Sequence, residues 1–251
     1  MKKLFRLLLI IAFLGAGAIA EAQQTGKIFR IGYLDNSTAA GSAVLVKAFL
    51  HELSKLGWIE GKNIAIEYRF AENKTERLSE LAADLVRLKV DLIVVSETNA
   101  SLAAKSATTT IPIVMANPGD PVALGLVTSL ARPGGNVTGF SALGPELNTK
   151  RLEILKDAVP KLARVGLLMG SGGSAGRDLS LKELRPAAVA LKLKLEEIKT
   201  QFDAEGLESA FKTAKQKQVG AILTTTSTRF FAARKRIVEL AGYLLREGVC
   251  R

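Results

Sequence analysis

The chain has 251 residues, 48% of them hydrophobic, one histidine, one cysteine and a formal net charge of +11. A lone cysteine excludes an internal disulfide, and one histidine beside one cysteine excludes a metal site of the usual His/Cys spacing. The basic residues, Lys55, Lys74, Arg87, Lys156, Lys192, Lys199, Lys212 and Arg234 among them, are scattered, so no nucleic-acid partner is expected.

Lys2, Lys3 and Arg6 precede an apolar run from Leu7 to Leu14, and small residues then lead to Ala18-Ile19-Ala20 and Ala20-Glu21-Ala22. That order is that of a secretory signal peptide over residues 1–22, and its apolar core is short for a bilayer span. An exported, periplasmic protein is expected, with a net charge of +9 once residues 1–22 are removed. No cysteine follows the apolar core, so no lipid anchor is expected, and Cys250 reads as a tail thiol.

Strand and helix patterns then alternate. Ile28–Leu34 reads as a buried strand, followed by a helix through Val46, Phe49, Leu50, Leu53 and Leu56 that Gly57 stops. Ile64, Ile66, Tyr68 and Phe70 alternate as a strand. Leu78, Leu81, Ala82, Leu85 and Leu88 form the next helix, with Asn73 and Glu76 at the spacing of a capping box. Leu92–Val95 and Ile113–Ala116 are wholly apolar strands, as in the middle of a parallel sheet, with a small-residue helix over 100–107 between them. A helix near Val122–Leu130, a Pro133-Gly134-Gly135 turn and a strand at Val137–Phe140 close the first half.

The second half repeats the pattern. A helix over Arg151–Val159 ends at Pro160, and a strand follows at Val165–Met169. Leu181, Leu184, Ala188 and Leu191 share a helix face, Leu193 and Leu195 mark a strand, and Leu207, Ala210, Phe211 and Ala214 another helix. A strand at Ala221–Leu223 and a helix through Ile237, Leu240, Ala241 and Leu244 complete it. The expectation is an α/β protein of two doubly wound parallel-sheet lobes, 28–140 and 148–251, joined by a hinge at 141–147. Because no strand follows the last helix, the second lobe reads as incomplete, with the chain truncated near Gly248 and a sheet edge left open.

In open α/β folds ligands bind beyond the carboxyl ends of the strands. The residues there are short and polar: Asn36 and Ser37 after the first strand, Ser96, Glu97 and Thr98 after the third, Asn117 and Asp120 after the fourth. Ser171 and Ser174 follow a second-lobe strand, and Thr226 and Ser227 another. Free backbone N–H groups at helix starts beside them suit an anion; each residue alone reads better as a cap or a turn, and the five loops together favour a cleft. Gly170-x-Gly172-x-x-Ala175 is a relaxed form of a dinucleotide fingerprint and reads better as a strand-to-helix loop. His51 falls on the exposed side of its helix, while Trp58, Phe49 and Phe230 read as core, with stacking on a ligand the alternative for Phe230. Three Asn-x-Thr triplets, at Asn36, Asn73 and Asn136, are not expected to carry glycans.

Several strings are shared with a known family. They are Gly57-Trp58 with Glu60-Gly61-Lys62-Asn63, Ile111-Pro112-Ile113-Val114, Gly119-Asp120-Pro121-Val122 and Ala131-Arg132-Pro133-Gly134-Gly135-Asn136-Val137-Thr138-Gly139. Over about Ile28–Leu245 the chain resembles ABC-transporter substrate-binding proteins with the class I periplasmic binding fold, the group that includes tryptophan- and tyrosine-type uptake proteins. It departs from the family pattern at Gly170–Gly176 and at Thr224–Ser227. The resemblance implies a monomeric, non-enzymatic protein that closes by hinge motion on a small amino-acid-like solute, aromatic ones included, and hands it to an inner-membrane ABC permease. It implies no cofactor and no metal. It also implies that Asn36, Ser37, Ser96, Thr98, Asn117 and Asp120 line one wall of the cleft and Ser171, Ser174, Thr226 and Ser227 the other, with Asp120 or Glu97 holding an ammonium. A sensory protein reporting to a membrane receptor, a fragment that binds nothing and an exported enzyme stay open at this point.

Overall fold

The computed structural model describes residues 27–141, 144–170, 175–225 and 227–248. The first lobe is built on a five-stranded parallel sheet in the order β2-β1-β3-β4-β5. Its strands are β1 (Phe29–Asp35), β2 (Ile64–Phe70), β3 (Leu92–Val95), β4 (Ile113–Met115) and β5 (Val137–Gly139). The helices are α1 (Ala39–Lys55), α2 (Leu78–Arg87) and α3 (Thr98–Ala107). Side chains alternate across the sheet, and both faces are covered, which is why β3 and β4 are apolar throughout. On one face Leu34, Ile93, Val95, Ile113 and Met115 pack under Leu78, Ala82 and Leu85 of α2 and Ala100 and Ala104 of α3. On the other, Ile31, Tyr33 and Val94 pack against Val46, Phe49 and Leu53 of α1. Gly32 lets α2 approach, since a Cβ there would lie 2.9 Å from Leu85 Cδ1.

Three details of this lobe differ from expectation. Trp58 is 40% exposed and packs edge-on against Phe29 at 5.6 Å, on the rim rather than in the core. No capping box forms at Asn73: it stands in a left-handed turn with φ +61°, and a 3₁₀ turn at Thr75–Arg77 leads into α2 without a side-chain cap. No helix forms over Val122–Leu130. Asp120 Oδ1 accepts from the Val122 and Ala123 N–H groups and starts a turn, but Gly125 adopts φ +66° and the Leu126 and Val127 N–H groups return to the Pro121 carbonyl. A left-handed residue one turn in ends a helix before it can propagate.

The string from 131 to 139 folds the edge strand onto its neighbour. Thr128 Oγ1 donates to the Arg132 carbonyl, and Asn136 Nδ2 donates to the carbonyls of Thr108 and Ile111. Val137 is buried, and Gly139 runs so close to β4 that a Cβ would sit 2.0 Å from the Met115 carbonyl oxygen.

The second lobe carries three parallel strands in the order β7-β6-β8 among the described residues. These are β6 (Arg164–Gly170), β7 (Lys194–Thr200) and β8 (Ala221–Thr224). Its helices are α4 (Gly144–Ala158), α5 (Ala175–Ala190), α6 (Ala204–Gln216), α7 (Thr228–Ala232) and α8 (Arg234–Gly248). Val165, Leu167 and Met169 face Leu152, Leu181 and Leu184, while Leu168 faces Ile198, Phe211 and Phe230, so β6 is buried on both sides. Phe230 is 4% exposed and packs edge-on against Phe202 at 4.9 Å, the core position expected of it. Among the described residues β8 pairs only with β6. Along its other flank runs an apolar cavity of about 490 Å³ bounded by Leu155, Val159, Leu223, Phe230 and Ile237.

The lobes touch: α1 packs on α7 and α3 on α5. In each sheet the strand order reverses beside the first strand of the lobe, between β1 and β3 and between β6 and β8. Such a reversal leaves a crevice beyond the carboxyl ends of the two strands.

Candidate functional site

The β1 end is held rigidly. Asp35 is 1% exposed, and its carboxylate accepts from the Ser37 N–H at 2.8 Å and from Ser42 Oγ at 2.7 Å. Burial, then the nearby Asp35 charge, pushes the Tyr33 hydroxyl well above the usual tyrosine range. Asn36 and Ser37 are buried here, Asn36 Nδ2 donating to Thr75 Oγ1 at 3.1 Å. The Ala71, Glu72 and Asn73 N–H groups donate to the carbonyls of Asp35, Ser37 and Asn36, tying the β2 exit loop to this wall. Asp35→Ala is expected to cost about 1–3 kcal/mol, because it strands the Ser37 N–H and the Ser42 hydroxyl. A urea midpoint unchanged from wild type would contradict this.

The β3 end is different, because two of its buried polar atoms have no partner among the described residues. Ser96 is 3% exposed and its Oγ has no hydrogen-bond partner among the described residues. Glu97 Oε1 is equally buried and equally without one. Thr98 Oγ1 accepts from the Gly119 N–H at 3.1 Å, which anchors the loop after β4. On that loop Asn117 is half-buried, and Asp120 uses one carboxylate oxygen on its own turn.

From the second lobe Ser227 caps α7, its Oγ accepting from the Arg229 N–H at 3.2 Å. Ser171, Ser174 and Thr226 lie outside the described residues. The side chain that crosses to the first lobe is Arg229. Its guanidinium lies 4.4 Å from the centre of the Phe202 ring, its Nη1 donates to Asn73 Oδ1 at 3.5 Å, and its Nη2 stands 3.5 Å from Glu97 Oε2. Arg229 Nε is buried with no partner among the described residues. Burial pushes the Glu97 carboxyl above the usual carboxylate range, the Arg229 charge pulls it back in part, Asp35 adds to the rise, and a hydrogen bond with the Asn36 side chain opposes it.

The structure thus brings Asn36, Ser37, Ser96, Glu97 and Thr98 together at one wall and meets them with Arg229, which the sequence reading did not single out. A signal for it was present: a cation in the first turn of a helix opposes the helix dipole and needs a reason to be there. Phe202 and Asn73 are the other two residues that fix it. His51, the one histidine, is exposed on α1. Among the described residues no group of three His, Cys, Asp or Glu could hold a metal ion, and no helix is long and apolar enough to cross a membrane.

A two-lobed parallel α/β architecture with polar strand ends facing a cleft is shared by many binding proteins, and the sequence itself decides among them. Residues 40–242 match the ABC transporter substrate binding protein family. The chain belongs to that family. Part of it, 123 residues or 49% of its length, is 39% identical to the tyrosine-binding protein of Clostridioides difficile and covers 35% of that protein. The chain therefore spans about a third of the length of this curated relative. Among solved structures, a conserved domain protein from Vibrio cholerae superposes with a TM-score of 0.71 at 26% identity, over 87% of this chain and 72% of that one. An ABC domain in complex with L-Trp from Streptococcus pneumonia gives 0.68 at 23% identity with the same coverage. A ligand-free, open substrate binding protein with adhesive properties from Clostridium difficile gives 0.52 at 25% identity, over 86% and 72%. The fold shared by family members is the class I periplasmic binding fold, of which the described residues hold the first lobe and part of the second.

Proposed function

We propose that this chain is the extracytoplasmic binding component of an ABC uptake system. It takes a small amino-acid-like solute, aromatic members of the class included, into the cleft between its lobes and presents it to an inner-membrane permease without chemical change. The observation that carries the reading is the cluster of buried polar side chains with unused hydrogen-bonding capacity where the two lobes meet. Membership in the family and the names of two relatives, one tyrosine-binding and one in complex with L-Trp, point to the ligand class. Residues 1–22 act as the export signal, residues 28–140 and 148–251 move as two bodies about a hinge at 141–147, and the protein works as a monomer in the periplasm. Asn36, Ser37, Ser96, Thr98, Asn117 and Asp120 on one side, with Ser171, Ser174, Thr226 and Ser227 on the other, form the walls.

A ligand that binds only the folded state stabilises it by about 2.7 kcal/mol at a hundred times its dissociation constant. For a chain of this size that is a rise of roughly 5–10 °C in melting temperature. The expected result is a shift of that order with one or a few amino acids and none with sugars. A cooperative melt that no small solute moves would count against the reading.

A further inference from the structure

At the amino ends of β1 and β2, on the pole of the first lobe opposite the cleft, large apolar side chains point outward. Ile28, Phe29, Leu56, Trp58 and Ile59 are all exposed, Leu56 by 75% and Ile28 by 51%. Trp58 packs edge-on against Phe29, and the Phe29 N–H donates to the carbonyl of Asn63, which closes the loop over 56–63. A lone exposed leucine needs no explanation, but a cluster of large apolar side chains marks a surface that something covers. The loop holds them in place. Gly57 and Gly61 stand at φ +84° and +80°, where other residues are strained. Inside the turn Asn63 Nδ2 donates to the Gly57 carbonyl at 2.8 Å, and Asn63 Oδ1 accepts from the Ile59 N–H at 2.7 Å. The Trp58 N–H returns to the Leu53 carbonyl of α1 at 2.9 Å. A loop already fixed by its own bonds loses little freedom when its tip meets a partner.

Lysines surround the apolar side chains. Lys27 stands 4.8 Å from the centre of the Phe29 ring and pairs with Asp91, and Lys55 ends α1 and pairs with Glu52. Lys62 in the loop and Lys89 ahead of β3 are exposed and make no ion pair among the described residues. The loop's own carboxylate, Glu60, is taken by the Tyr68 hydroxyl at 3.4 Å. The face is therefore apolar at its tip and cationic at its edge.

That composition decides the class of partner. Protein–protein interfaces are rich in aromatic residues but depleted of lysine. A protruding tip of Leu, Trp and Ile edged by lysines is the arrangement of a membrane–water interface, where tryptophan sits at head-group level and lysine stems reach lipid phosphates. We propose that this face seats the protein on an anionic lipid surface. Leu56, Trp58 and Ile59 enter the interface, and Lys27, Lys55, Lys62 and Lys89 meet the head groups. Because the strands of this sheet are parallel, the face lies at their amino ends and the cleft beyond their carboxyl ends, so the seat leaves the cleft uncovered. The inference goes beyond the solute-binding reading and takes from it only a place beside a membrane.

Trp58 is the one tryptophan of the chain and lies in the face itself, so its emission reports the contact directly. The protein is purified from the periplasmic fraction, where the leader is removed and cannot carry it to lipid. It is titrated with phosphatidylcholine vesicles and with vesicles that also contain phosphatidylglycerol. On the anionic vesicles Trp58 emission is expected to move to shorter wavelength and to be quenched by brominated lipid, while neutral vesicles bind at least about 10-fold more weakly. Leu56→Ser with Ile59→Ser is expected to weaken vesicle binding at least about 10-fold. Lys62→Gln with Lys89→Gln is expected to weaken it by a similar factor, and added salt to weaken wild type more than this variant. All four side chains are exposed, so the melting temperature is expected to stay at the wild-type value. No emission change with anionic vesicles, equal binding to neutral ones, or sedimentation with vesicles without quenching of Trp58 would overturn the inference. So would an emission shift that follows protein concentration in the absence of lipid, which would give the face to a second copy of the chain. If a double variant fails to fold, quenching of the wild-type chain by brominated lipid decides alone. None of these outcomes bears on the solute-binding reading, which the melts with small solutes test separately.

Discussion

Gly139→Ala is expected to destabilise the first lobe by about 4 kcal/mol or more, a large part of the roughly 5–15 kcal/mol that ordinarily holds a domain folded. Two effects add. The residue stands at φ +136°, where a Cβ is strained whatever its surroundings, and that Cβ would fall 2.0 Å from the Met115 carbonyl oxygen and 2.7 Å from the Met115 nitrogen. Both contacts are backbone, so no side chain can turn aside. β5 would have to leave β4, taking with it the Val114–Thr138 pairing and the bond from the Phe140 N–H to the Met115 carbonyl. The one tryptophan of the chain, Trp58, sits beside Phe29 in this lobe, so its fluorescence follows the lobe's unfolding. A variant whose fluorescence transition in urea coincides with wild type would show that β5 tolerates a side chain there.

Leu167→Ala acts on the other lobe. Leu167 is fully buried at the middle of β6, the central strand, in a cluster with Leu152, Leu181, Leu184 and Leu223. Its neighbours stand on rigid helices to one side and a sheet to the other, so the space it leaves closes poorly. The expected cost is about 3–5 kcal/mol. Because that cluster is distinct from the cores around β1 and β3, the loss is expected as an earlier circular-dichroism transition with the Trp58 fluorescence transition nearly in place. If both signals moved together by the full amount, the lobes would unfold as one unit.

The eight strands among the described residues were legible because each carries an apolar run or alternation of its own, from Ile31 and Tyr33 in β1 to Ile222 and Leu223 in β8. What failed was wherever one residue's backbone conformation outweighed the pattern around it. Val122–Leu130 has helix-compatible spacing, but Gly125 in the left-handed region cuts it to a turn. Asn73 and Glu76 have capping spacing, yet Asn73 is itself left-handed and its side chain reaches Arg229 instead. Trp58 looks like core because it is large and apolar, and its exposure depends on where the loop after α1 lands. At the candidate site the first-lobe residues could be read from their place after β1 and β3. Arg229 left only the hint of a cation at a helix start, because its partners Asn73 and Glu97 lie far from it in sequence and only the docking of two lobes brings them near.

Among the described residues each sheet draws its strands from one unbroken stretch, 29–139 for the first and 164–224 for the second. A chain emerging from its amino end therefore presents the five strands of the first sheet before the three of the second have appeared, and domains generally fold as units in that order. At that stage no cation stands opposite Glu97, and its ion pair with Arg229 forms only when α7 docks. The early steps of folding are therefore expected to be insensitive to Arg229→Gln, while the final docking rate responds to it.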